Sequence, residues 1–174
     1  MTLLKIVRYP APVLVTIGEP VRDSDFEAGF ENTVDMMFET MRDAGGVGLA
    51  APQVGISKRF FVMDIPEGED GDSQRYCLIN PEILHVEGEQ TAEEGCLSFP
   101  GLYQALRRDM RVVVRAQDVD GSEFELDLEG LAARCILHET DHCDGIVFLD
   151  RMSTLKRELA KRKIKKLKQT GKWE

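Results

Sequence analysis

Residues 112–145 read VVVRAQDVDGSEFELDLEGLAARCILHETDHCDG, and two different periods follow one another within them. Val112, Val113, Val114 and Ala116 form an apolar run, Asp120-Gly121 is a turn signal, and Phe124, Leu126 and Leu128 alternate with acids. That order predicts two antiparallel strands joined by a tight turn, because strand side chains alternate between faces and a glycine readily supplies the positive φ of a hairpin. Past Gly130 the spacing becomes helical: Leu131, Cys135, Leu137, His138, Thr140 and His142 lie in a run without proline or glycine until Gly145. Strands that pair as hairpins and precede a helix, with no strand–helix–strand alternation, predict an α+β chain. The expected architecture is antiparallel β-sheets packed around a central helix that carries His138-Glu139-Thr140-Asp141-His142, followed by a C-terminal helix.

Upstream, Phe26, Phe30, Val34, Met37, Phe38 and Met41 recur at three- and four-residue steps, which predicts an amphipathic helix over Ser24–Met41, ended by Ala44-Gly45-Gly46. Val47–Ile56 reads as a loop and Arg59–Ile65 as a largely buried strand. Gly68–Ser73 reads as an exposed acidic turn, with a second strand at Tyr76–Asn80. Downstream, Ser153 or Thr154 is placed to cap a helix reaching about Gln169, with a narrow apolar stripe of Leu155, Leu159, Ile164 and Leu167.

The 174 residues, 43% of them hydrophobic, suit one domain with a full core. No stretch approaches the roughly 20 apolar residues of a membrane span, and Met1–Leu14 lacks the order of a signal peptide, so a soluble, cytoplasmic protein is expected. Four cysteines, Cys77, Cys96, Cys135 and Cys143, are too few for a disulfide scaffold and include no CxxC pair. The formal net charge of -9 argues against nucleic acid as a partner of the whole chain, yet it hides a division. Segment 151–174 holds ten basic and two acidic residues, a balance of +8, which leaves 12 basic and 29 acidic residues in 1–150. We expect the main body of one domain over 1–150, whose chemistry the motifs below indicate, and, over 151–174, a basic helical extension of the same domain.

His138-Glu139-Thr140-Asp141-His142 is an HExxH sequence on a predicted helix. Four residues at a rise of about 1.5 Å each bring the two imidazoles to one face, where they can hold one metal ion, with Glu139 within reach of water beside it. A catalytic metal needs a third ligand and an open position. The extended HExxHxxGxxH pattern fails, because Phe148 stands where the third histidine belongs, and the downstream acids Glu158 and Glu174 lie in the basic tail. His85, upstream carboxylates and the cysteines remain, among them Cys96 in Glu94-Gly95-Cys96-Leu97-Ser98. Gly46-Val47-Gly48-Leu49-Ala50-Ala51-Pro52-Gln53 is rich in small residues; it allows close backbone approach to a ligand, and equally suits a tight turn.

Together these motifs resemble those of the peptide deformylases, in the same order: GxGLAAxQ as Gly46–Gln53, EGCLS as Glu94–Ser98 and HExDH as His138–His142. The resemblance extends to Arg8-Tyr9-Pro10, to the Asp120-Gly121 hairpin and to Leu131–Gly145. It implies that Cys96, His138 and His142 bind one divalent metal, iron(II) foremost, with zinc, nickel or cobalt as alternatives, and that Glu139 is the general base and acid. It further implies an oxyanion site from Gln53 and the backbone N–H of Leu97, and a substrate peptide held by the backbone of Gly48. An apolar methionine pocket would lie near Val47, Leu97, Cys135 and His138. The implied reaction is hydrolysis of the formyl group of N-formylmethionyl nascent polypeptides, with release of formate. Gly46 and Gly48 would then exclude longer acyl groups by contact.

Three residues depart from common family choices: Leu137 for Gln, Cys143 for Leu and Tyr103 for Arg. Arg108 matches a recurrent arginine and is placed to pair with Asp141, the alternative being a plain surface arginine. The basic extension is expected to contact ribosomal RNA, the alternative being a solvated helix paired with the acidic body. A general HExxH peptidase and a non-catalytic metal-binding module are the rival readings.

Overall fold

In the computed structural model, which describes residues 2–27, 29–67 and 72–173, β1 (Gly48–Ala50), β2 (Phe60–Glu67) and β3 (Asp72–Glu87) pair antiparallel in that order. β4 (Gln90–Gly95) and β5 (Tyr103–Arg108) pair with each other in a separate two-stranded sheet. β6 (Arg111–Gln117) and β7 (Glu123–Glu129) extend the first sheet, whose strand order is β1-β2-β3-β6-β7. The helices are α1 (Phe30–Asp43), α2 (Gly130–Cys143) and α3 (Thr154–Gln169).

Alternation in β2 sets the layers. Phe61, Met63 and Ile65 pack with Ala132, Ala133, Cys135 and Ile136 of α2, while Phe60 and Val62 pack with Val34, Met37, Phe38 and Met41 of α1. A strand covered on both faces reads as a continuous apolar run, which is why Arg59–Ile65 looks wholly buried in the sequence. A third cluster lies beyond α2 and joins Leu102 and Leu106 to Phe99, Phe148, Ala160, Ile164 and Trp173. α2 is therefore enclosed on both sides, with eleven of its fourteen residues buried. This is the α+β arrangement expected around the central helix.

Several boundaries differ from expectation. α1 begins at Phe30 rather than Ser24, because Gly29 at φ 110° interrupts the backbone and Asp23–Phe26 forms a separate 3₁₀ turn. Part of the expected loop Val47–Ile56 is the edge strand β1, followed by a 3₁₀ turn over Ala51–Val54. β3 runs far past Asn80, through register shifts on either side of Glu82 and Ile83. Asn80 adopts φ 51° and exchanges hydrogen bonds with both the N–H and the carbonyl of Val21. Bulges of this kind let a strand continue past a proline, here Pro81. The β2–β3 pairing makes the expected hairpin, and residues 68–71 of its turn lie outside the described residues. On α3, Leu155 and Leu159 of the expected stripe are exposed, whereas Ile164 is buried as expected and Leu167 packs on the same cluster, where Ala160 joins them.

Candidate metal centre

Three elements deliver the centre. α2 places His138 and His142 one turn apart, their rings 5.0 Å between centroids. Cys96 follows directly on β4, and its Sγ lies 3.4 Å from His142 Nε2. One donor atom each from Cys96, His138 and His142 fall within 4.8 Å of one another. A soft thiolate with two imidazoles suits a divalent transition metal, and three protein donors leave a position open.

The surroundings fit such an ion. Glu94 Oε1 lies 2.5 Å from His138 Nδ1, and a carboxylate can only accept, so Nδ1 carries the hydrogen and Nε2 is left to ligate. Glu94 is buried; burial alone would raise its pKa, but hydrogen bonds from His138 and Arg108 hold it well below the carboxylate range. Arg108 donates to both oxygens of Glu94 at 3.1 and 2.7 Å, and to Asp141 at 2.8 Å. Arg134 adds a 2.7 Å bond to Glu94, and Arg151 grips both oxygens of Asp141 at 3.0 and 2.6 Å. The expected Arg108–Asp141 pair is thus present within a larger buried network. Burial holds the His142 pKa well below the imidazole value, which favours the neutral ring that can ligate.

A cavity of about 560 Å³ opens on this centre, lined among others by Val47, Gly48, Cys96, Leu97, Cys135, His138 and Glu139. Burial pushes the Glu139 carboxyl up to about 7. Its Oε2 has no hydrogen-bond partner among the described residues. Gly48 is required by contact: a Cβ there would stand 2.6 Å from Glu139 Oε1 and 2.7 Å from Cys135 Sγ. A Cβ at Gly46 would meet Leu97 Cδ1 at 2.7 Å. Gln53 is buried beside Cys96. The Ala50 N–H donates to its Oε1 at 2.9 Å, which turns Nε2 toward Cys96 Sγ at 3.5 Å and Ser98 Oγ at 3.3 Å.

His85 lies far from this group, exposed on β3 beside Glu87. Cys77 and Cys143 are core thiols, raised by burial, and Cys143 packs toward the sheet. Tyr103 is exposed at the cavity mouth, its ring over Gly95, and Leu137 packs on the sheet-side cluster. Reasoning from sequence missed Glu94, Arg134 and Arg151 as supports. Glu94 was open to discovery, since a ligating histidine ordinarily needs a carboxylate or carbonyl on its other nitrogen.

Comparison with known proteins agrees with this geometry. The polypeptide deformylase family profile matches residues 3–158. A peptide deformylase of Acidobacterium capsulatum is 49% identical over 173 residues, covering 99% of this chain and 100% of that one. One from Chromobacterium violaceum is 49% identical over 95% of this chain and 96% of its own. The crystal structure of a peptide deformylase from Legionella pneumophila superposes with a TM-score of 0.88 at 42% identity, covering 98% of both chains. That from Thermotoga maritima gives 0.80 at 43% identity over 88% of this chain and 99% of its own. By its profile, its relatives and its fold, the chain belongs to the polypeptide deformylase family.

Proposed function

We propose that the centre at Cys96, His138 and His142 performs the family's reaction, hydrolysis of the formyl group from N-formylmethionine at the start of new polypeptides. The observation that carries this assignment is Glu139, buried against Gly48 beside the three donors with an Oε2 that no described residue engages. Cys96, His138 and His142 would hold the ion, iron(II) foremost. It would supply Lewis-acid chemistry, making water more acidic and polarising the formyl carbonyl. Glu139 takes the proton of the attacking water and later delivers it to the departing amine, the double task a carboxyl raised to about 7 performs well. Gln53 Nε2 and the Leu97 N–H donate to the oxygen as negative charge develops, worth a few kcal/mol per donor. The backbone at Gly48 holds the peptide, and Val47, Leu97, Cys135 and His138 receive the methionine side chain.

Formate release from a formyl-Met-Ala-Ser peptide tests the reading. We expect Glu139→Ala to lose about 10²–10⁴-fold in kcat while still binding cobalt. Equal activity in the variant would remove Glu139 from the mechanism.

We place the protein in the cytoplasm, where nascent chains are made, a reading supported by four free cysteines. No helix among the described residues is long and apolar enough to cross a membrane. Segment 151–174 is read as an extension of the catalytic domain, supported by Ala160, Ile164 and Trp173 in the cluster with Phe99. Contact with ribosomal RNA is supported by Lys163, Lys165, Lys166 and Lys168, which are exposed and make no ion pair among the described residues.

A further inference from the structure

Trp173, the only tryptophan in the chain, is 4% exposed although it lies beyond α3. Its indole Nε1 donates to the Tyr9 carbonyl at 2.8 Å, and its ring meets Phe99 edge-on at 5.9 Å. Tyr9 stacks on Phe99 at 4.9 Å, Phe99 contacts Phe148 at 4.8 Å, and Phe148 lies 6.0 Å from the His138 ring. An unbroken series of aromatic contacts therefore runs from the C-terminal segment to α2.

The same residues hold the turn that carries Cys96. The Phe99 N–H donates to the Cys96 carbonyl at 2.8 Å, Arg8 Nη1 to the Leu97 carbonyl at 2.7 Å, and the Tyr9 N–H to the Ser98 carbonyl at 3.1 Å. Three successive carbonyls are fixed by donors on Phe99, Arg8 and Tyr9. Two of those three residues are the ones Trp173 touches. The neighbouring Val7 N–H also donates to the Gln53 carbonyl at 2.8 Å, so this N-terminal segment bridges both loops of the site.

We propose that Trp173 is a positioning residue: by latching Tyr9 and Phe99 it holds the Cys96-Leu97-Ser98 turn, and so sets where Cys96 Sγ and the Leu97 N–H stand. The inference rests on the assignment of Cys96 as a ligand and Leu97 as an oxyanion donor. Trp173 is remote from the reacting atoms and acts through residues that are not. A bulky, rigid indole with one directed N–H suits that task, and rate responds steeply to small displacements of catalytic groups.

Full-length protein with Trp173→Leu, which stays apolar but loses the ring, and Trp173→Phe, which keeps a ring and loses the N–H, tests the latch. Two readings are taken: kcat and KM for formyl-Met-Ala-Ser, and the rate at which iodoacetamide labels Cys96 in metal-free protein, with Cys77 and Cys143 as buried controls. For Trp173→Leu we expect kcat to fall about tenfold with KM within about twofold, and Cys96 labelling to rise about fivefold while the controls stay unlabelled. Trp173→Phe is expected to show about a third of each effect. A general loss of stability would expose all the thiols together. A folded Trp173→Leu protein, or Trp173→Phe should the first not fold, whose kcat and Cys96 labelling match wild type would overturn the proposal. Cobalt that fails to protect Cys96 in the wild type would instead refute Cys96 as a ligand.

Discussion

Gly48 and Glu94 work by opposite means, one by lacking a side chain and the other by placing a charge. With Glu139 Oε1 and Cys135 Sγ both under 3 Å from where a Cβ would stand, Gly48→Ala must displace both side chains or shift its own backbone. Since Glu139 lines the cavity, we expect kcat to fall about 10–100-fold with only a small change in melting temperature. A kcat within twofold of wild type would show that the contact is absorbed elsewhere. Glu94→Gln keeps shape and removes the charge that faces Arg108, Arg134 and His138. Breaking a buried pair by changing one partner costs about 3–5 kcal/mol, and losing the support of a ligating histidine typically weakens metal affinity about 10–100-fold. Urea unfolding of the metal-free variant and zinc competition against a chelator measure the two effects separately. The clustering of Cys96, His138 and His142 is legible in the sequence because HExxH brings two imidazoles to one helix face and EGCLS is a distinctive third motif. The Arg134 and Arg151 contacts are not, because nothing local in the sequence marks which arginine will meet which acid across 40 residues or from the following turn.

α3 shows most clearly where element-scale reading succeeds and where it stops. Its start is legible: Ser153 accepts the Lys156 N–H, as a cap should, and Ser153→Ala is expected to lower stability by about 1 kcal/mol in denaturant titration. Its buried face is legible only in part: Ile164 and Leu167 of the expected stripe pack inward and Leu155 and Leu159 do not, because apolar residues spaced through a lysine-rich helix fit two faces until packing chooses one. Packing chose Ala160 and Ile164. Ile164→Ala should therefore cost about 2–5 kcal/mol, whereas Leu159→Gln, at a position 54% exposed, should stay within about 0.5 kcal/mol of wild type. The reverse ranking would place the buried face on Leu155 and Leu159 instead. α2, β6 and β7 emerge close to their expected bounds because an Asp-Gly turn and Gly130 punctuate them. The β4–β5 pair escapes notice because its acids and arginines do not alternate with an apolar face, and only Leu106 and Arg108 of β5 turn inward.

Over the whole molecule the charge division remains the least expected property of an acidic chain, and the fold changes how it must be tested. Removing residues 155–174 would strip Ala160, Ile164 and Trp173 from the cluster that holds Phe99 and Phe148, so truncation confounds docking with stability. Substituting surface charge avoids this. Lys161, Lys165 and Lys168 are exposed and spaced to share one face of α3, and none of them lines the cavity. Segregated charge orients an encounter: the acidic body repels a phosphate backbone, but beyond about 8 Å at physiological salt that repulsion is screened, so the basic face leads. Each phosphate neutralised contributes about 0.7–0.9 to the slope of log affinity against log salt. Changing the three lysines to glutamine should therefore reduce that slope for purified bacterial ribosomes by about 2–3, measured by co-sedimentation across a salt series. Formate release from a short formyl peptide should stay within about twofold, because the centre lies on α2 and the Cys96 turn. An unchanged slope would assign these lysines to solvent, leaving α3 as a structural strap whose exposed charge serves solubility alone.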